Sequence, residues 1–289
     1  MPDTLLHLAA VGYGLATLAY LGLSGLIVAS WRRRPQGRLL VLATGLSAAW
    51  GALSALAAWG ALPPRLELAA EVARNGAWLA LLLYILRLRL PPATALPAPL
   101  RFMRILGGLL VGGLLLASAL PFIAPARPVL AQWAGNLGLV LLTVMGLVLV
   151  EQVYRGTRQE DRWAIKFLCL GLGGLFVYDF YLHANAALFG AADARVWAAR
   201  GYVAALVTPL IAVSAARNPE WAAPVGLSRS MAFHTASLLG AGAYLLLMAG
   251  AGYYLRLFGG EWGDVVQTVF VFAAVMLLVL LMISGTLRA

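Results

Sequence analysis

Charge is scarce in this chain. Only 11% of its 289 residues are charged, where a soluble domain carries roughly 25%, and 62% are hydrophobic. That shortage excludes a water-facing surface around a globular domain of this size. Cysteine is nearly missing too. Cys169 stands alone, so no disulfide forms within the chain and no CxxC metal motif exists; buried packing is its expected role. Lysine occurs once, as Lys166, against 20 arginines. No run of about ten residues alternates apolar with polar, which excludes an outer-membrane barrel. No P-loop, dinucleotide-binding glycine box, nucleophile elbow, HExxH or paired ExxH occurs, so the common motif-borne chemistries have no foothold.

Long apolar runs are abundant instead. They predict an all-α fold, a polytopic transmembrane helix bundle of about nine helices forming one domain over 1–289. The helices are expected at about 5–30, 39–59, 67–86, 101–123, 132–154, 163–188, 196–216, 231–255 and 265–287. The flank MPDTLLH is not basic and the arginine cluster follows the first apolar run, so that run is expected to be a membrane helix rather than a cleaved signal peptide.

The formal charge of +10 is distributed unevenly. Fifteen of the 21 Lys and Arg residues fall in alternate loops, among them Arg32, Arg33, Arg34, Arg38, Arg87, Arg89, Arg101 and Arg104. The other side holds Arg65, Arg74, Arg127, Arg195, Arg200 and Arg256. Basic loops stay in the cytoplasm, so the expected orientation has the N-terminus outside and the C-terminus inside, in a bacterial inner membrane. The positive charge orients the chain, and membrane lipids rather than nucleic acid are its expected partners. Trp31, Trp59, Trp133, Trp163, Trp197, Trp221 and Trp262 lie near predicted helix ends and read as interfacial anchors. Gly108 and Gly112 form a GxxxG motif, expected to serve close packing within the bundle.

The stretch from Trp163 to Phe189 stands apart. Its second half carries Tyr178, Asp179, Tyr181, His183 and Asn185. Asp179 and His183 are four apart and share a helix face. Asp179 lies sixteen residues from Trp163, about 24 Å along a helix in a hydrocarbon layer ~30 Å thick. A carboxylate there costs roughly 2.5–3.5 kcal/mol on insertion scales, so a partner is expected. The same level holds Glu67, Glu71, Arg74 and Asn75 of the third segment, Gln132 and Asn136 of the fifth, and Arg195 and Arg200 of the seventh. The candidate sensing pocket is therefore Asp179, His183, Asn185, Tyr178 and Tyr181 with Glu71, Arg74, Asn75, Asn136 and Arg200. Asp179 is expected within reach of Arg74, Asn75 or Arg200. With one histidine at this level, neither a metal nor a cofactor is expected. In the opposite halves of the helices only Thr143 and Thr208 read as deep polar groups, which argues against a continuous ion path.

Three stretches resemble a known family: RWAIKFLCLGLGGLFVYDFYLHANAALF, VSAARNPEW and FHTASLLGAGAYLLLMAGAGYYLRLFGGEWG. They are similar to the membrane domain of the PrsK family, sensor histidine kinases of the PEP-CTERM/exosortase system in Gram-negative bacteria that make exopolysaccharide. The likeness is strongest from Arg162 to Gly263. It implies a multi-helix membrane sensor feeding a cytoplasmic kinase, a homodimer formed through the kinase region, and a cognate response regulator as partner. The chain as given holds no phosphoacceptor box and no ATP-binding domain, so no catalytic residue is carried over and it is expected to be inactive as a kinase by itself. His234, in SMAFHTASLL, has no acidic residue after it and reads as a helix-start histidine. Rival readings are a small-solute or lipid transporter, which needs a polar path across the midplane; a membrane enzyme acting on lipid-linked glycans, which needs Glu71 and His183 converging in an open cleft; and a structural scaffold.

Overall fold

The computed structural model describes residues 3–29, 35–88, 90–91, 95–119, 128–159 and 162–217, and beyond them residues 265, 268, 269, 272, 273 and 276. Seven helices run through the main part: α1 (Asp3–Ala29), α2 (Pro35–Ala58), α3 (Pro64–Leu88), α4 (Ala98–Ala119), α5 (Pro128–Arg155), α6 (Arg162–Phe189) and α7 (Ala194–Arg217). All seven are long and apolar enough to cross a membrane, and the described residues include no strand. The fold is all-α and that of a multi-pass membrane protein. The count differs from the nine expected. The eighth segment lies outside the described residues, as does His234. Of the ninth, Val265, Thr268, Val269, Phe272, Ala273 and Met276 are described and helical. This ninth segment packs on α6, where the Phe272 ring meets the Tyr178 ring edge-on at 5.4 Å.

Helix ends follow local chemistry. α2, α3 and α5 each begin on a proline, whose missing N–H is one that the first turn leaves unpaired anyway. α2 is terminated by the turn at Gly60, with φ of 70°; Ala61 N–H reaches back to the Leu56 carbonyl at 3.1 Å, a closure that needs the left-handed residue glycine supplies. Asp193 caps α7 by accepting the Arg195 N–H at 2.8 Å. These ends extend most helices by one to four residues beyond the apolar runs, because caps and charged first turns belong to the helix though not to the hydrocarbon.

Packing joins α1 to α2, α2 to α3, α3 to α5, α5 to α6, α6 to α7 and α7 back to α1, a closed ring of six. α4 lies outside the ring against α3 and α5 and is the least buried of the seven. The ring closes at Gly201. A Cβ there would run into the backbone of Gly12 and Tyr13, so α1 and α7 touch main chain to main chain. The Tyr202 ring in turn covers Gly12, and its hydroxyl donates to the Leu8 carbonyl at 3.0 Å. The GxxxG pair behaves otherwise than expected. Among the described residues, neither Gly108 nor Gly112 has an atom within 4 Å of where a side chain would begin, whereas Gly107 meets Met145 of α5. One residue is 100° of helix, enough to turn the small-residue stripe from a packed face to an open one.

Candidate functional site

α3, α6 and α7 each place charged side chains in the interior of the ring, at the end of the bundle where the α2–α3 and α6–α7 turns lie. Helical spacing dictates which residues share a face: Glu71 with Arg74 and Asn75 on α3, Asp179 with His183 on α6. Asp179 is 1% exposed, Arg200 2%, Arg74 3%, Glu71 5% and His183 6%.

Asp179 has both oxygens engaged. Oδ1 accepts from Arg200 Nε at 2.7 Å, and Oδ2 pairs with Arg74 Nη2. Two of its three expected partners therefore reach it. Arg200 also pairs with Glu71 through Nη2, so one guanidinium bridges carboxylates on two helices. Glu71 Oε1 takes a second bond from His183 Nε2 at 2.7 Å. A carboxylate oxygen only accepts, so this nitrogen carries the hydrogen. Arg74 Nη2 also donates to Asn75 Oδ1 at 3.2 Å. With Glu71 and Asp179 ionised, two guanidiniums balance two carboxylates. That balance is what makes their burial tolerable, since an unpaired charge in this setting costs several kcal/mol.

Aromatic rings support the network. Trp50 of α2 lies under both arginines, its ring centre 4.0 Å from the Arg74 guanidinium carbon and 4.8 Å from that of Arg200. The face of an indole attracts a cation, more strongly once water is excluded. Tyr13 of α1 meets Trp50 edge-on at 5.3 Å and donates its hydroxyl to the Trp197 carbonyl at 2.9 Å. The Trp197 indole N–H donates to Glu67 Oε1 at 3.2 Å, so this tryptophan turns inward and is not the simple interfacial anchor expected. Tyr178 sits beside the network, its hydroxyl donating to the Val196 carbonyl at 2.7 Å. Arg74 Nε, Asn75 Nδ2 and Trp50 Nε1 are buried without an acceptor among the described residues. Buried donors without partners are rare, and here all three belong to the network or its aromatic floor.

Three expected site residues stay out of it. Tyr181 is 55% exposed: two residues past Asp179 is 200° around the helix, and its side chain faces outward. Asn185 and Asn136 are half-buried and hydrogen-bond to none of the network residues. The expected pocket is also better described as a closed cluster, because the charges pack against one another rather than around an open space. Sequence reasoning passed over Trp50 and Tyr13. The available signal was position: both lie in mid-helix, where an interfacial anchor has no reason to be.

Elsewhere the deep hydroxyls serve the backbone. Thr44, Ser47, Thr143 and Thr208 bond carbonyls of the preceding turn in their own helices, and Ser214 bonds the Ala164 carbonyl. Among the described residues these bonds return to the backbone, and Thr208 also reaches the buried Tyr20 hydroxyl beside the network. Cys169 is buried, as expected of a packing residue. No family model, curated protein or solved structure matches the chain.

Proposed function

We propose that the chain is the membrane-embedded, signal-sensing input domain of a two-component sensor histidine kinase of the bacterial inner membrane, linked to exopolysaccharide production and PEP-CTERM protein sorting. The resemblance to the PrsK family supplies the class. The observation that carries the mechanism is the closed ion network joining α3, α6 and α7. Replacing buried ion pairs by apolar side chains often stabilises a protein, so stability is a poor reason to keep five such groups in a lipid-facing bundle. A register or switch role is the best-attested alternative.

Arg200 is the joint of this switch. It holds Asp179 and Glu71 at once, and its helix contains Pro209, which has no N–H to return to the Ala205 carbonyl. α7 is thus weakened two to three turns from the residue that ties it to its neighbours. A signal that competes for Arg200 or Asp179 shifts α7 against α3 and α6, and α6 carries the displacement to the ninth segment through Tyr178 and Phe272. Such a signal acts only through different affinity for the two arrangements.

The orientation inferred from the arginines puts the network in the periplasmic half, within reach of an external or membrane-borne signal. A reporter active only in the periplasm is expected to work when fused at Pro63 and to fail at Pro91 or Arg158; the opposite pattern moves the network to the cytoplasmic half and removes this reading.

The sensing role itself is tested in the native gene. Asp179→Asn and His183→Ala are expected to change target-gene output per molecule of membrane-resident protein, across external pH and envelope stress, while Cys169→Ala leaves it unchanged. Equal output per molecule from all three variants and wild type rejects the network as the sensing element.

One observation favours an enzyme acting on lipid-linked glycans: Glu71 and His183 do meet at hydrogen-bond distance. The cleft that reading needs is closed in this arrangement, and Glu71 is already held by Arg200. A transporter finds less support, since most of the deep hydroxyls among the described residues turn back to the backbone.

A further inference from the structure

Three hydrogen-bond donors are buried together on the floor of the ion network. Arg74 Nε, Asn75 Nδ2 and the Trp50 indole Nε1 have no acceptor among the described residues. Asn75 and Trp50 are 0% exposed and Arg74 3%. They are also neighbours in space. The Trp50 ring centre lies 4.0 Å from the Arg74 guanidinium carbon. Arg74 Nη2 donates to the Asn75 amide oxygen at 3.2 Å, so Asn75 Nδ2 belongs to the amide that Arg74 already holds. A buried donor left bare costs more than a made hydrogen bond contributes, and few persist in native proteins. Trp78 shows the ordinary solution. It is 1% exposed, one turn further along α3, and its indole N–H donates to Ser47 Oγ of α2 at 3.0 Å.

All three groups are donors, so their partner brings acceptors. It is also small, because the side chains around it pack against one another. An anion and water both qualify, and charge decides between them. Two guanidiniums already balance Asp179 and Glu71, and the guanidinium that carries Arg74 Nε is itself paired with Asp179. An anion accepting from Nε stands beside that carboxylate and adds a negative charge that only a proton on His183 would offset. Water adds none, and its hydrogens find acceptors at hand. Among the described residues Asp179 accepts two bonds, both from arginines, of the about four a carboxylate can take. We infer that ordered water is bound here, accepting from Arg74 Nε, Asn75 Nδ2 and Trp50 Nε1 and donating towards Asp179. A buried water makes about three hydrogen bonds, typically to groups that are otherwise unpaired, and one water accepts only about two, so three donors call for about two molecules. This hydration does not require the network to sense a signal. It gives Arg74 a partner that moves with it, so the pair with Asp179 can lengthen without leaving a bare charge.

The test is hydroxyl-radical footprinting of the purified full chain in a neutral detergent, with the radicals made in place by a brief X-ray pulse and the products located by mass spectrometry. A buried ring is oxidised where water touches it and spared where none does. Trp50 is expected to be oxidised at least tenfold faster than Trp78, although both are buried. Asn75→Leu removes one of the three donors and puts an apolar side chain of similar size in its place. It is expected to slow oxidation of Trp50 about threefold and to leave Trp78 unchanged. Equal rates at the two tryptophans in the wild-type chain overturn the proposal, and so does an unaltered Trp50 rate in a folded Asn75→Leu chain. A variant that opens raises the rate at both rings, and the wild-type ratio is then the deciding measurement. The unfolding temperature is expected to be the same in chloride and in gluconate at one ionic strength. A saturable rise with millimolar chloride assigns the donors to an anion and overturns the water site.

Discussion

Arg200→Leu is expected to destabilise the bundle by about 3–5 kcal/mol, the range for removing one partner from a buried charge pair. Arg200 is the shared partner of Glu71 and Asp179. Its loss leaves Glu71 with His183 alone and Asp179 with Arg74 alone, and the network with one more negative than positive charge. Leucine fills part of the volume, so the deficit is one of charge rather than packing. The measurement is thermal unfolding in detergent together with the fraction of chain that stays monodisperse after extraction. A second variant separates charge from shape. Adding Glu71→Gln to Arg200→Leu removes the surplus carboxylate and keeps an acceptor for His183 Nε2, and it is expected to recover a large part of the lost stability. A single variant as stable as wild type, or a double variant no better than the single, means that the charges are solvated from a direction the packing does not reveal.

The second large effect is expected at Gly201. A methyl group there overlaps the backbone of Gly12 and Tyr13, and main-chain atoms cannot swing aside as the end of a flexible side chain can. Overpacking in a tight interior costs typically 1–3 kcal/mol, and a main-chain contact puts Gly201→Ala at the upper end, about 3 kcal/mol. The displaced helix is the one that carries Arg200, so the variant also moves the arginine relative to Asp179. Gly108→Ala is the control, since no described residue stands within 4 Å of its new methyl group; it is expected to unfold within about a degree of wild type, as a surface substitution does. Equal loss at the two positions in the same unfolding assay rejects the main-chain contact between α1 and α7.

How far the candidate site was legible can be judged residue by residue. Asp179 was legible because a carboxylate about 24 Å into an apolar run has to be paired. His183 followed from its spacing, and Arg74 and Arg200 from their depth in segments that start on the same side. Tyr181 was misplaced for a reason already in the sequence, since two residues along a helix put it on the far side from Asp179. Trp50 and Tyr13 were legible only as mid-helix aromatics, and their place in the network was not. Their role depends on α2 and α1 standing beside α3 and α7, and nothing in either segment names its neighbours. The closure of the site was also hidden. Whether five polar side chains surround a space or fill it depends on distances between helices, and those are set by contacts such as Gly201 against Gly12.

The amino-acid sequence by itself determined that the chain forms helices, where each of the seven described begins and ends to within a few residues, and how far along its helix each charge lies. A helix in hydrocarbon satisfies its own backbone, so apolar length, proline starts and glycine ends are local information and need no partner to be read. Only the tertiary structure decided how each helix is rotated and what it faces. That is why Arg200 came to bridge Glu71 and Asp179, why Trp50 became the floor beneath two guanidiniums, and why Gly107 packs against Met145. Rotation about a helix axis is fixed by the sum of side-chain contacts with neighbours far away in the chain. A change of one residue's arc exchanges a buried face for an exposed one while leaving the segment's composition, length and mean hydropathy the same.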